Sequence, residues 1–77
     1  MKLYEIYEEG FSIMEGNGTA HYIGSAYGET FLDACKNYIK EHPGSGEIRA
    51  GESGRQYACS WGCVWFQTLS EAQKSFG

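Results

Sequence analysis

Residues 30–44 read Thr-Phe-Leu-Asp-Ala-Cys-Lys-Asn-Tyr-Ile-Lys-Glu-His-Pro-Gly, and they decide the fold because they carry the clearest helical pattern in the chain. Thr30 followed three residues later by Asp33 has nearly the capping-box pattern that begins a helix. The segment His42-Pro43-Gly44 predicts the end, because a residue before proline avoids the α region and glycine can close the last turn. The apolar side chains recur at helical spacing and form one stripe, which consists of Phe31, Leu32, Ala34, Cys35, Tyr38 and Ile39.

Two extended segments precede this helix and predict a β-hairpin. Over residues 3–14, apolar side chains alternate with polar ones in rough period two. Gly10 lies inside that run and predicts a bulge that exchanges the two faces. Residues 15–18, Glu-Gly-Asn-Gly, predict the hairpin turn, because an Asn-Gly pair readily adopts positive φ angles. Residues 19–27 are then the returning strand.

The second half of the chain predicts a strand and a shorter helix. Residues 43–54 contain four glycines and predict a long loop, of a length that is usually functional or mobile. Residues 61–66 are the most apolar run and predict a strand, with a short extra strand at 57–59. Thr68 and Glu71 form a second capping box, which predicts a C-terminal helix ending at Gly77.

These elements together predict an α+β fold in the order β-β-α-β-α, with a possible extra short strand. The expected architecture is a small antiparallel sheet with both helices on one face. Residues 1–77 are expected to form a single compact domain.

Composition excludes several classes of function. The 77 residues include ten acidic and six basic side chains, for a formal net charge of −4. Nucleic acid is an unlikely partner on this balance, because phosphate binding needs a surplus of Lys and Arg. Nothing in the sequence resembles a membrane span or a signal peptide, so we expect no membrane association. The acidic side chains are concentrated in residues 1–33, which hold six of them against Lys2.

The candidate catalytic and metal-binding residues form no recognisable site. His21 and His42 lie in different elements, and so small a chain has little room for a pocket and its supporting residues. We therefore expect no enzymatic activity and no cofactor. Cys35, Cys59 and Cys63 are interpreted as reduced, packed thiols. Structural zinc normally needs two tight ligand pairs and only one is present, so no metal site is predicted.

The strand at 61–67 carries the main functional prediction. Its alternation places Trp61 and Trp65 on one side and Val64 and Phe66 on the other. If Val64 and Phe66 face the helices, both tryptophans lie on the open face of the sheet. The alternative, in which the tryptophans form the core, stays open.

An aromatic patch on an open sheet face is typical of a protein-binding surface or a dimer contact. Acidic side chains beside such a patch would steer a partner towards it. The predicted partner-binding residues are Trp61, Trp65 and Tyr7 as anchors, with Glu5, Glu8 and Glu9 supplying the charge. A homo-oligomer formed through the same patch is a further alternative.

A small nucleotide-like ligand is the second functional hypothesis. In this interpretation the loop at 43–54 closes over the ligand, and Lys40, Arg49 or Arg55 meets its phosphate. The Gly-Ser-Gly segment at 44–46 is a poor phosphate-binding loop by itself, because it follows a helix instead of opening one.

Three stretches resemble a group of small phage and prophage proteins of uncharacterised function. They are Tyr4-Glu5-Ile6-Tyr7-Glu8-Glu9-Gly10-Phe11, Thr30-Phe31-Leu32-Asp33-Ala34-Cys35, and Trp61-Gly62-Cys63 with the ending Glu71-Ala72-Gln73-Lys74-Ser75-Phe76-Gly77. The resemblance covers most of the chain except the glycine-rich loop and carries no catalytic motif. It implies a bacterial host cell, with its cytoplasm as the location. By analogy with small acidic phage proteins, it implies a binding module that occupies or inhibits a host protein, such as a defence component.

Overall fold

The computed structural model describes residues 1–10, 12–13, 16–17 and 20–76, and within them it confirms the α+β class. The elements in chain order are β1 (Lys2–Glu8), β2 (Ser12–Ile13), β3 (Gly16–Asn17), β4 (His21–Gly28), α1 (Phe31–Glu41), β5 (Glu47–Ala50), β6 (Gln56–Ser60), β7 (Cys63–Phe66) and α2 (Leu69–Phe76). Neither helix has the length and apolar character that crossing a membrane requires.

Five strands form an antiparallel sheet in the order β4-β1-β7-β6-β5. The sheet has two parts, the β1–β4 pair and the β5–β6–β7 meander. They join along a short seam of two residue pairs, Tyr7 with Phe66 and Glu8 with Trp65. Strands β2 and β3 pair separately as a two-stranded sheet.

Helix α1 begins and ends where the sequence predicts. The Thr30 hydroxyl accepts a hydrogen bond from the Asp33 backbone N–H at 3.2 Å, which caps the first turn. The His42 N–H donates to the Tyr38 carbonyl at 2.9 Å at the other end. The helix packs most closely on β4, where a Cβ on Gly28 would lie 2.4 Å from the Ala34 nitrogen. Only glycine permits this approach.

The hydrophobic core lies between α1 and the sheet. Its buried members are Ile6, Ala26, Ala34, Cys35, Ala58 and Trp65, with Tyr4, Ile23, Phe31, Tyr38, Ile39 and Ile48 packed around them. Most of the buried side chains are small, so the Trp65 ring supplies much of the volume. It meets Tyr38 edge-on, with ring centroids 5.7 Å apart.

The bulge lies elsewhere than predicted. Ile6 pairs with Gly24 and Tyr7 pairs with Tyr22, which leaves Ile23 as the extra residue in β4. Gly10 is therefore not the irregular position of the β1–β4 ladder. The bulge lets Ile23 pack against the core.

The predicted hairpin turn at residues 15–18 lies partly outside the described residues, which omit Glu15 and Gly18. The other two residues of that segment, Gly16 and Asn17, form β3 and pair with β2.

Residues 43–54 do not form one continuous loop, and that prediction was wrong. Strand β5 runs through the segment and pairs with β6, with Ile48 opposite Ala58. Ile48 packs against the core, while Glu47 and Arg49 point the other way. In this short edge strand, Ile48 is thus the side chain that packs against the core.

The second helix also has its predicted cap. The Glu71 N–H donates to the Thr68 hydroxyl at 3.1 Å, and that hydroxyl lies 3.2 Å from the Glu71 carboxylate. Ala72 is fully buried, and α2 contacts β7, β1 and β4. The predicted helix end at Gly77 lies outside the described residues.

Candidate functional site

Trp65 does not lie on an open sheet face, and that prediction was wrong; the alternative, in which the tryptophan forms part of the core, is confirmed for Trp65. Its side chain is 3% exposed and belongs to the core beneath α1. The alternation of β7 then turns Val64 and Phe66 to the opposite side. The cause is volume, because the small side chains of Ala34 and Ala58 leave room that an indole ring fills.

The backbone at Gly46 closes over the Trp65 ring. A Cβ on Gly46 would lie 2.5 Å from the Trp65 Cζ2 atom and 2.8 Å from the Cys59 carbonyl oxygen. No side chain fits there without a backbone shift. The glycines of this segment thus serve core packing at one position at least, whereas the sequence suggested a ligand-binding loop.

Trp61 has the opposite environment. It lies outside β7, in the two-residue turn between the paired residues Ser60 and Cys63, and it is 97% exposed. Its φ angle is +55°, and that of Gly62 is +81°. Two successive positive φ angles define a type I′ hairpin turn, in which Asn-Gly is the preferred pair.

The conformation of Trp61 is unfavourable for the isolated chain. A residue with a side chain in the left-handed region costs roughly 1–2 kcal/mol. Full exposure of an indole ring adds no packing energy to offset that cost. An exposed and strained bulky residue at a hairpin tip is a reason to look for a function there.

The three predicted acidic residues fall into different environments. The Glu9 carboxylate accepts a hydrogen bond from the Val64 N–H at 2.7 Å and so lengthens the β1–β7 seam. Glu8 pairs with Trp65 on the α1 side of the sheet. Glu5 is exposed on the other side, where the Tyr7 hydroxyl donates to it at 3.2 Å. The three carboxylates therefore do not form one acidic cluster that could steer a partner.

Glu8 and Glu9 lie opposite Trp65 and Val64 of β7. Burial raises the pKa of the Cys63 thiol, and the charges of these two carboxylates raise it further. Burial also raises the pKa of the Glu8 carboxyl, whereas the charge of His21 favours its charged form. The Trp65 indole Nε1 is buried and makes no hydrogen bond within the described part of the chain. The hairpin tip thus has negative charge beside it.

A second exposed surface lies on the sheet face opposite α1. We call Leu3, Glu5, Tyr7, Tyr22 and Tyr27 the tyrosine face. Leu3 pairs with Tyr27 and Tyr7 pairs with Tyr22, whose rings meet edge-on at 5.3 Å. Leu3, Tyr22 and Tyr27 are each more than half exposed, at 55%, 52% and 58%. Sequence reasoning identified Glu5 and Tyr7 here but missed Tyr22 and Tyr27, because the bulge at Ile23 changes the alternation of β4.

The three predicted cations are not brought together. Arg49 forms an ion pair with Glu47 at 3.1 Å on β5. Lys40 lines a depression beside Leu3, Tyr27 and the end of α1. Arg55 lies at the rim of a separate groove between α1 and the meander. The structure therefore offers no joint phosphate site for them.

The thiols are in environments that keep them protonated. Burial raises the pKa of Cys35 to about 12, and burial is also the main cause of the raised pKa of Cys59. A protonated thiol is a poor nucleophile and a poor metal ligand. Among the described residues, no group of three or more His, Cys, Asp and Glu side chains could hold a metal ion.

Comparison of the chain with protein-family models, with curated proteins and with solved structures finds no match. The assignment of candidate residues therefore depends on their geometry and chemistry.

Proposed function

We propose that this protein is a non-enzymatic binding module that engages another protein through Trp61 at the tip of the β6–β7 hairpin. The observation that carries the proposal is the 97% exposure of a tryptophan held at φ +55°. An indole side chain buries about 150–250 Å² when covered, worth roughly 4–6 kcal/mol at about 25 cal/mol per Å² before the costs of association. A pocket on a partner would recover that energy.

The hairpin fixes the backbone position from which the Trp61 side chain projects. Ser60 and Cys63 are paired directly behind it, so the turn has little freedom. Tryptophan is enriched among the residues that dominate binding energy at interfaces. A turn backbone that is already fixed loses little further entropy on binding, which favours affinity.

The chemistry of the partner follows from the charge around the turn. The charges of Glu8 and Glu9 act on Cys63, the residue that follows the turn, and the whole chain carries a formal charge of −4. A partner with basic residues around an apolar pocket would be complementary. The resemblance to small phage and prophage proteins supports a bacterial host protein, such as a defence component, which the module would occupy or inhibit in the host cytoplasm.

Trp61→Asn is the decisive variant. Asn-Gly is the preferred pair of a type I′ turn, so we expect this variant to fold at least as stably as the wild type. It removes the whole anchor. In affinity capture from bacterial lysate with quantitative mass spectrometry, a specific partner should bind the wild type and be lost with Trp61→Asn.

Tyr27→Thr is the matched control, because it removes another exposed ring from a strand that tolerates threonine. It should retain the same partner. A partner retained by Trp61→Asn and lost with Tyr27→Thr would transfer the site to the tyrosine face. Identical capture by all three proteins would refute a role for either surface.

A further inference from the structure

Strand β5 is one edge of the five-stranded sheet. Among the described elements it pairs with β6 on one side, and none of the described strands pairs with its other side. The Gly51 N–H donates to the Arg55 carbonyl at 2.9 Å, which fixes the hydrogen-bonding phase of the β5–β6 ladder. Bonded residues alternate along an antiparallel ladder, and Ile48 and Ala50 each lie an odd number of residues from Gly51. Their N–H and C=O groups therefore point to the free edge, where they can pair with another strand.

The side chains of β5 are self-complementary about Ile48. Glu47 and Arg49 flank it on the sheet face opposite α1, where the guanidinium donates to the carboxylate at 3.1 and 3.3 Å. Both side chains are more than half exposed, at 56% and 52%, and a guanidinium has more N–H groups than these two bonds use. In two antiparallel copies with Ile48 opposite Ile48, each Glu47 would lie opposite Arg49 of the other copy.

Charge selects this register over the alternative that the backbone allows. A second register of equal length has Ile48 opposite Ala50, and it also directs the outward backbone groups at one another. That register puts Arg49 directly opposite Arg49 of the second copy, and like charges at such positions are destabilising. With Ile48 opposite itself, both charge pairs attract, and the small residues Gly46 and Ala50 lie opposite each other.

The two edges of the sheet are not equivalent. On β4, the Asn37 amide of α1 donates to the Tyr27 carbonyl at 2.8 Å and so occupies an edge acceptor. The described side chains form no such bond with Ile48 or Ala50, since the Arg49 guanidinium is bonded to the Glu47 carboxylate. The β5 edge is therefore the more available of the two.

We propose that two copies of this protein pair antiparallel through β5, with Ile48 at the two-fold axis and Glu47 opposite Arg49 on each side of it. A two-fold interface uses the same patch of both copies, which a self-complementary strand satisfies. The two Ile48 side chains would meet on the α1 side of the joined sheet and add apolar contact. The interface uses no residue of the Trp61 turn, so it does not depend on the proposed function.

The dimer should be weak, because so short a strand pair forms a small interface. Sedimentation equilibrium of the wild type should show a reversible monomer–dimer equilibrium at concentrations up to about 1 mM. Amide exchange at Ile48, measured by NMR, should slow as the dimer forms, while the Arg49 amide bonds to β6 in both states and is the internal control. A protein that stays monomeric at about 1 mM would overturn the proposal. Dimerisation without slower exchange at Ile48 would overturn β5 as the contact.

Glu47→Arg and Arg49→Glu test the register. Each variant puts like charges opposite each other twice in its own dimer, so we expect dimerisation about tenfold weaker than in the wild type. An equimolar mixture of the two variants restores opposite charges at both positions and should dimerise as the wild type does. Net charge alone predicts a different result, because Glu47→Arg brings the chain closer to neutrality and would then promote association.

Arg55→Glu is the matched control for Arg49→Glu. It makes the same change of net charge at an exposed residue on the β6 side of the ladder, and it should leave the dimer fraction unchanged. Circular dichroism verifies that each variant is folded, as expected for substitutions at exposed positions. Equal weakening by Arg55→Glu and Arg49→Glu, or no recovery in the mixture, would overturn the pairing of Glu47 with Arg49.

Discussion

Trp61 and Trp65 are four residues apart, yet one is 97% exposed and the other 3% exposed. Strand alternation predicts the same side for both, and this holds only while the chain remains extended between them. The backbone leaves the extended conformation at Trp61 and Gly62, where φ becomes positive. The sequence signal was the glycine that follows Trp61, which is typical of the second position of a type I′ turn.

The two tryptophans should differ sharply in their contribution to stability. We expect Trp65→Ala to lower the free energy of unfolding by about 3–5 kcal/mol, because it leaves a cavity under α1. Trp61→Ala should change it by less than about 0.5 kcal/mol, as is usual for an exposed position. Urea denaturation followed by circular dichroism measures both. Equal losses would show that the exposed ring also supports the fold.

Glu8 predicts a pH dependence of stability. Burial raises the pKa of its carboxyl above the ordinary value of 4.5, so the folded state holds this proton more tightly than the unfolded chain. The free energy of unfolding therefore falls as pH rises from 4.5 to the higher pKa that Glu8 has in the folded state. Glu8→Gln should be more stable than the wild type at pH 7, with the difference vanishing below pH 4.5.

The exposed Glu5 supplies the control for this experiment. The free energies of unfolding of the wild type, Glu8→Gln and Glu5→Gln, measured by urea denaturation at pH 7 and below pH 4.5, isolate the effect of burial at Glu8. A gain for Glu8→Gln that is the same at acidic and neutral pH would contradict the assigned cause.

Among the elements, α1 was the most predictable and β5 the least. Helix α1 has a cap, an apolar stripe and a proline stop within one segment, and all three are local signals. Strand β5 has only Ile48 to indicate it, and its pairing with β6 depends on contacts that the local sequence does not contain. The bulge at Ile23 is likewise a property of the pairing with β1. The fold class and both helices could thus be predicted from the sequence. The burial of Trp65 and the exposure of Trp61 in a turn could not, because they depend on the strand pairing.

Strand β4 is an edge of the sheet that α1 partly covers. The Asn37 amide donates to the Tyr27 carbonyl at 2.8 Å, and the Tyr38 hydroxyl lies 3.5 Å from the Ile23 carbonyl. Unpaired carbonyls on an edge strand invite pairing with a second chain, so these side chains act against self-association.

Asn37→Ala should therefore increase self-association. The substitution frees the Tyr27 carbonyl, and it does not harm the helix because alanine is the best helix former. Sedimentation velocity at matched concentrations should show a larger dimer fraction than in the wild type. Lys36→Ala changes the exposed residue directly before Asn37 in α1 and should leave the dimer fraction unchanged. An unchanged sedimentation profile for Asn37→Ala would mean that another feature protects this edge.

At the scale of the whole molecule, the sheet is two hydrogen-bonded groups of strands held along a short seam. Besides its two residue pairs, the seam has the Glu9 N–H bonded to the Val64 carbonyl at 3.0 Å and the Val64 N–H bonded to the Glu9 carboxylate. A side chain thus takes the role that a longer ladder would otherwise have. The shared core beneath α1 supplies the remaining connection.

Glu9→Ala should weaken this seam. The Val64 N–H is part-buried and would lose its acceptor, which costs about 1–3 kcal/mol. Amide hydrogen exchange measured by NMR should accelerate at Val64 and Glu8 more than at the centre of the β1–β4 ladder. Glu5→Ala removes a carboxylate from the same strand without touching the seam and should leave these rates unchanged. Uniform acceleration across the chain would indicate global loss of stability instead.

The short seam also suggests where the molecule could be divided. Gly44 lies after α1 and before β5, has a φ angle of +88°, and has nothing within 4 Å of an added Cβ. Cutting the chain there would give one fragment with β1, β4 and α1 and another with β5, β6, β7 and α2, each keeping most of its own ladder. If the two fragments associate when mixed, their dissociation constant would measure the strength of the contacts between the two halves of the sheet.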